Sequence, residues 1–257
     1  MNVLSLRDVH AAPWGEPLLQ GISLDVDSGQ ILGVIGPNGA GKTSLLNVLA
    51  GDIEADGSLE LLGRPVAHWD GRSRARSLAV LPQLSLLNFP YRAEEVVMLG
   101  RTPHSSGLQQ DRAIVREVME ITDTERLRGR VYTRLSGGEK QRVQLARVFA
   151  QIWHSGDPPA LLLLDEPTAA LDLAHQAMIM EALRGLAARG NAVVMVAHDF
   201  NLVASVADRI TSLREGRQLA TGTPSEVLTP ANFEAIFGIE VMVQAHPASG
   251  RPMVISL

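Results

Sequence analysis

A chain of 257 residues that is 46% apolar has ample material for a buried core, which excludes disorder as its resting state. A net charge of −5 with a pI near 5.8 argues against a nucleic-acid binder working through a basic surface. The absence of cysteine excludes disulfides, thiolate metal sites and a cysteine nucleophile, and no apolar run approaches the ~20 residues a membrane helix needs.

The chain begins MNVLSLRDVH, which lacks the cationic-then-apolar order of a signal peptide. A cytosolic, soluble protein is expected, unless a partner holds it at a membrane. QILGVIG (Gln30 to Gly36) is a short β-branched run ending at glycine, the pattern of a buried strand. GPNGAGKT follows and fits G-x-x-x-x-G-K-[ST], and KTSLLNVLAG then reads as a helix from Lys42 that stops at Gly51. Strand, glycine loop and helix are the context a phosphate loop requires. Backbone N–H groups from Asn38 to Ser44 can surround phosphate oxygens at the positive end of the helix. Lys42 is placed to reach the outer phosphates and Thr43 to offer Mg²⁺ its hydroxyl. The basic stretch GRSRAR (Gly71 to Arg76) is short and reads as a solvated loop or helix start.

From about Leu84 to Trp153 the pattern is helical, in EEVVMLGR, DRAIVREVMEI and GEKQRVQLARVFAQIW. LSGGE (Leu135 to Glu139) is a helix start with Ser136 as N-cap and Glu139 closing a capping box, followed by an apolar face of Val143, Leu145, Ala146 and Phe149. Capping does not explain Gly137 and Gly138. Consecutive glycines at a helix N-terminus allow close approach to an anion, a second such site far in sequence from the first. ALLLLDE (Ala160 to Glu166) and AVVMVAHD (Ala192 to Asp199) are continuous apolar strands, and MIMEALRGLAARG (Met178 to Gly190) between them is helical. This βαβ rhythm gives an α/β class with a largely parallel sheet. Asp165 and Glu166 end their strand where open parallel sheets bind ligands. Asp165 is read as a Mg²⁺ ligand, through water, and Glu166 as the base that orients and deprotonates the attacking water. The tail holds two capped helix starts, TPSEVL and TPANFEAIFG, then two strands around Pro-Ala-Ser-Gly.

With LSGGE lying between GPNGAGKT and LLLLDEPT, the chain resembles the ATPase subunit of ABC transporters essentially from end to end. The resemblance implies a P-loop fold with a mainly parallel core, an N-terminal antiparallel β portion and a helical insert. As one unit over 1–257, it places the core at about 1–85 and 154–220, the helical subdomain at 86–153, and C-terminal helices with a hairpin at 221–257. It implies a head-to-tail homodimer that sandwiches two ATP molecules with Mg²⁺. Gly36, Pro37, Asn38, Gly39, Ala40, Gly41, Lys42, Thr43 and Ser44 would hold the nucleotide, and Ser136, Gly137, Gly138 and Glu139 would contact the ATP of the other copy. Gln83, in VLPQ, matches the glutamine that touches Mg²⁺ and water. His198, in VAHD, matches the histidine at the γ-phosphate, and Asp172, in AALD, the loop that communicates across the dimer.

Three positions depart from the family's habit. Thr43 stands where serine is usual and offers the same hydroxyl, and Ala169 stands where serine is common. The nearest candidate for the aromatic that stacks on adenine is Trp14, in APWGEP; a tryptophan packed on its own loop is the equal alternative. Within the family, FPYRAEEVVMLGR, QLARVFAQIW, LDLAHQ and VQAHPASGRPMVI resemble importers of large metal chelates, heme importers above all. That branch implies two transmembrane permease subunits, contacted near Phe89, Pro90 and Tyr91, and indirectly a periplasmic heme-binding protein. It also implies a peripheral place on the cytoplasmic face of the bacterial inner membrane, with no nucleic-acid partner. Siderophore or cobalamin import is the alternative cargo. A GTPase lacks its N-K-x-D here, a chromosome-maintenance ATPase lacks room for a coiled coil between Lys42 and Ser136, and a heme-binding module is poorly served by seven scattered histidines. An ATP-dependent dimerisation module without transport shares every catalytic motif.

Overall fold

In the computed structural model, which describes residues 1–83, 87–153 and 159–257, the chain first folds as an antiparallel hairpin of β1 (Asn2–Ala11) and β2 (Leu19–Asp27). It then passes through β3 (Ile31–Ile35), the glycine loop and α1 (Lys42–Ala50). Next, β4 (Asp56–Leu61) and β5 (Arg64–Pro65) return to the hairpin and make a four-stranded sheet ordered β2-β1-β4-β5. This is the expected N-terminal antiparallel portion. The GRSRAR stretch lies in α2 (Gly71–Ser77), where Asp70 caps the helix by accepting from Ser73 N and Arg74 and Arg76 sit by its negative end.

Five parallel strands form the core. β3 lies between β8 (Ala192–Val196) and β9 (Arg209–Arg214), and β7 (Leu161–Asp165) and β6 (Leu78–Leu81) continue outward from β8. β10 (Arg217–Gly222) adds an antiparallel edge to β9. The LLLL run explains why β7 must lie inside. Leu162 and Leu164 join one apolar cluster and Leu161 and Leu163 the other, so both faces of the strand are covered. Burying each of these leucines contributes about 1.5–3 kcal/mol before entropy is counted.

The helical stretch comprises α3 (Ala93–Met98), α4 (Leu108–Ile121) and α5 (Gly137–Ile152), with short 3-10 turns between them. Val143, Leu145, Ala146 and Phe149 of α5 are fully buried, as their spacing predicts. The boundaries expected near 85–86 and 154 fall on or beside residues outside the described ones. α6 (Leu173–Ala188) begins five residues before the predicted Met178, because Asp172 caps it by accepting from His175 N. Beyond β8 come α7 (Phe200–Val206), then α8 (Pro224–Val227) and α9 (Pro230–Phe237), and last a hairpin of β11 (Val241–Ala245) and β12 (Pro252–Ser256). Among the described residues no helix is long and apolar enough to cross a membrane.

Candidate nucleotide site

The glycine loop is built by contact, not by sequence preference alone. Gly36 has φ +154°, and a Cβ there would sit 2.2 Å from the Leu213 carbonyl oxygen of β9, so only glycine lets β3 turn away this close to its neighbour. Lys42 then starts α1 with its ammonium folded back over the loop, donating to the carbonyls of Gly36 and Pro37 at 2.9 Å each. Burial pushes its pKa down, while the nearby carboxylates of Glu166 and Asp165 push it up. A cavity of about 600 Å³ lies over the loop. Asn38, Gly39, Ala40, Gly41, Lys42, Thr43 and Ser44 line it, together with Gln83, Glu166 and His198. A larger cleft, about 740 Å³ beside Gly51 and Asp56, is lined by none of the predicted residues.

Adjacent strands deliver the rest of the site. β6, β7 and β8 lie side by side, and the residues just past their C-terminal ends are Gln83, Glu166 and His198. All three meet at one atom: Glu166 Oε1 accepts from Gln83 Nε2 at 3.0 Å and lies 2.8 Å from His198 Nε2. Glu166 is held in the left-handed region (φ +50°), rare for a side-chain-bearing residue, while its N–H donates to the Val196 carbonyl. Gln141 of α5, which the sequence did not single out, donates to the Pro167 carbonyl and steadies the segment after Glu166.

Asp165 is 3% exposed. Its Oδ2 accepts from Thr43 Oγ1 at 2.8 Å, whereas its buried Oδ1 has no hydrogen-bond partner among the described residues. Asp165 meets the Thr43 hydroxyl, and Thr43 and Gln83 line the same cavity; a carboxylate, a hydroxyl and an amide are oxygen donors of the kind that suits Mg²⁺, so Thr43, Gln83 and Asp165 fit that ion.

Burial raises the Asp165 pKa above the usual carboxylate range, with the Thr43 hydrogen bond opposing it. The folded pKa therefore exceeds the unfolded one, and the folded state binds this proton more tightly. Stability is lost as pH rises through the folded value. Asp165→Asn, melted in EDTA without nucleotide, should gain about 2–4 °C for each kcal/mol recovered at pH 7. The gain should shrink as the pH falls toward 4. Equal melting temperatures at pH 7 would contradict a strained carboxylate.

The remaining predicted residues lie elsewhere. Ser136, Gly137 and Gly138 do not line the cavity. Ser136 caps α5 by accepting from Glu139 N, and Glu139 Oε2 accepts in return from Ser136 N while its Oε1 accepts from Arg130. Both Glu139 oxygens are thus engaged within the chain. A Cβ at Gly138 would crowd the Ala170 carbonyl at 2.8 Å, but one at Gly137 would meet nothing within 4 Å. Packing among the described residues does not require that glycine. Asp172 is bound to His175, whose other ring nitrogen faces Asp123. Trp14 is 78% exposed and does not line the cavity, which Pro17 and Leu18 of the same loop reach instead. Phe89 and Tyr91 are exposed with ring centroids 6.1 Å apart, and Pro90 between them is exposed. Tyr91 alone of the three lines a groove of about 690 Å³ shared by α3 and α4.

The pattern of the family described as "ABC transporter" matches residues 19–169. A hemin import ATP-binding protein of Pseudomonas fluorescens is 49% identical over 99% of this chain and 100% of its own length. One from Gloeobacter violaceus is 51% identical over 95% of this chain and 90% of its own. Among solved structures, a metal-chelate type ABC transporter in an inward-facing conformation superposes with a TM-score of 0.81 at 27% identity, covering 100% of this chain and 97% of that one.

Proposed function

This chain belongs to the ABC transporter family of ATPases, and on that premise we propose that it drives import of hemin through a membrane permease. The observation that carries the ATPase mechanism is the convergence of Gln83 and His198 on Glu166 Oε1, beside the Thr43–Asp165 pair. Backbone N–H groups of the loop bind the phosphates, and Lys42 turns its ammonium from the Gly36 and Pro37 carbonyls to the outer ones. Thr43 and Gln83 would hold Mg²⁺, with Asp165 acting through water, and the ion would supply positive charge to offset that of the phosphates. Glu166 takes a proton from the attacking water, and His198 donates to the γ-phosphate from the neighbouring strand. The cavity's wall at Pro17 and Leu18 brings the base near Trp14, whose exposed ring is free to stack on it.

A second copy completes each site. Gly137 is unconstrained by the described residues of its own chain and opens the positive end of α5 to solvent, as an approaching phosphate of the partner's ATP requires. Glu139 acts here by fixing that helix start. The dimer engages two permease subunits at the groove of α3 and α4, which Tyr91 lines, and through the exposed Phe89 and Pro90 that precede it, and lies on the cytoplasmic face of the inner membrane. Asp172 relays closure between the two sites, and a periplasmic heme-binding protein feeds the permease.

Full-length identity with hemin import proteins is what supports hemin as the cargo. Deleting the gene should abolish growth of the native host on hemin as sole iron source. The wild-type gene should restore growth, and Glu166→Gln should not. Undiminished growth of the deletion strain, in a host cleared of other hemin importers, would reject hemin. Uptake of a labelled ferric siderophore and of cobalamin would then be compared.

A further inference from the structure

Immediately after His198 the chain enters α7, a helix of only seven residues. So short a helix is marginal by itself, and its end carbonyls need partners from outside. One face of α7 lies against β3, the strand that feeds the phosphate loop. There a Cβ at Gly33 would sit 2.3 Å from Val203 Cγ1, so glycine lets helix and strand close together. The C-terminal segment grips the helix at three points along its length.

At its start, the Phe200 ring lies 4.9 Å from both Phe233 and Phe237 of α9, edge-on to the first. One residue on, the Asn201 amide makes a reciprocal pair with the backbone of β12, donating to Val254 O at 3.0 Å and accepting from Val254 N at 2.7 Å. At its end, one nitrogen of Arg251 donates to the carbonyls of Ala204 and Ala207 at 2.9 Å each, capping the last turn. Apolar packing alone would bury this helix but leave it free to rotate or slide. The paired amide and the forked cap fix its rotation and its position along its axis.

We infer that the C-terminal hairpin and α9 clamp α7 against β3, and so hold His198 at the 2.8 Å distance from Glu166 that the hydrolytic site uses. Phe200, Asn201 and Arg251 are positioning residues that act through His198. The inference rests on the role proposed for His198 above. It also gives the tail a part in the ATPase cycle: a partner that pried the hairpin from α7 would slow hydrolysis without touching the nucleotide.

The test uses the full chain with Arg251→Ala and, at the opposite end of the helix, Asn201→Ala. Each is made in the wild type and in a His198→Ala background, after thermal melting has confirmed that it folds. The expected result is a fall in kcat of about 10- to 100-fold, the scale of a misplacement near 1 Å, with nucleotide Kd unchanged. In the His198→Ala background neither change should lower kcat further, a non-additivity that mere loss of stability does not produce. Arg251→Lys, which can reach one carbonyl, should recover part of the rate. Wild-type kcat in both single variants, or full additivity with His198→Ala, overturns the inference alone. A His198→Ala protein that hydrolyses ATP at the wild-type rate overturns the role of His198 and the inference with it.

Discussion

Replacing Glu166 with glutamine is expected to lower ATP hydrolysis by about 10²–10⁴-fold, the scale for losing a general base, while ATP binding persists. Glutamine has nearly the same shape, so the left-handed turn at this position and the Glu166 N–H bond to Val196 are kept. Its amide oxygen still accepts from Gln83 or His198. What disappears is the carboxylate that takes the proton from water. Lys42, Thr43 and the loop are untouched, so equilibrium binding of ATP should match the wild type. Phosphate release under saturating ATP reads the rate, and turnover near wild type would remove Glu166 from the role of base.

Ser136→Arg is expected to abolish the ATP-driven dimer while the monomer still binds ATP. In a Glu166→Gln background, which preserves bound ATP, size-exclusion chromatography should show the parent chain shift to a dimer and the double variant remain a monomer. The substitution also removes the cap of α5, a loss of about 1 kcal/mol. Ser136→Ala removes the same cap without adding bulk or charge, and separates the two effects. If Ser136→Ala dimerises and Ser136→Arg does not, the exposed face of this helix start is the interface. A dimer of Ser136→Arg would place the second copy elsewhere.

Much of the site could be read in the sequence because its parts are local. The phosphate loop needs β3, glycine and α1 in immediate succession, and the LLLLDE run carries its own evidence of burial on both faces. The capping box of Ser136 and Glu139 is equally local. Other features are not local. Gln83, Glu166 and His198 reach one oxygen only because β6, β7 and β8 are neighbours, and four-residue β6, wedged between a basic helix and Pro82, has little periodicity to announce it. The first turn of α6 was hidden because Leu173, 83% exposed, breaks the apolar stripe. Gln141, Asn201 and Arg251 bond to distant backbone, for which composition and spacing leave no trace.

The central place of β3 has a consequence for how the protein is made. Its neighbours are β8 and β9, through pairs such as Ile31 with Val193 and Leu32 with Arg209. At synthesis rates of about 5–20 residues per second, the strand that carries the phosphate loop waits roughly 10–40 s for either neighbour to leave the ribosome. During that interval an apolar strand with two open edges is exposed on the nascent chain, the kind of species that aggregates. A chain cut short before β9 would contain every residue of the phosphate loop and still lack the Leu213 carbonyl against which Gly36 turns. The nucleotide site is thus encoded early and assembled late, and a ribosome stalled before β9 yields a chain with the motif but without the site.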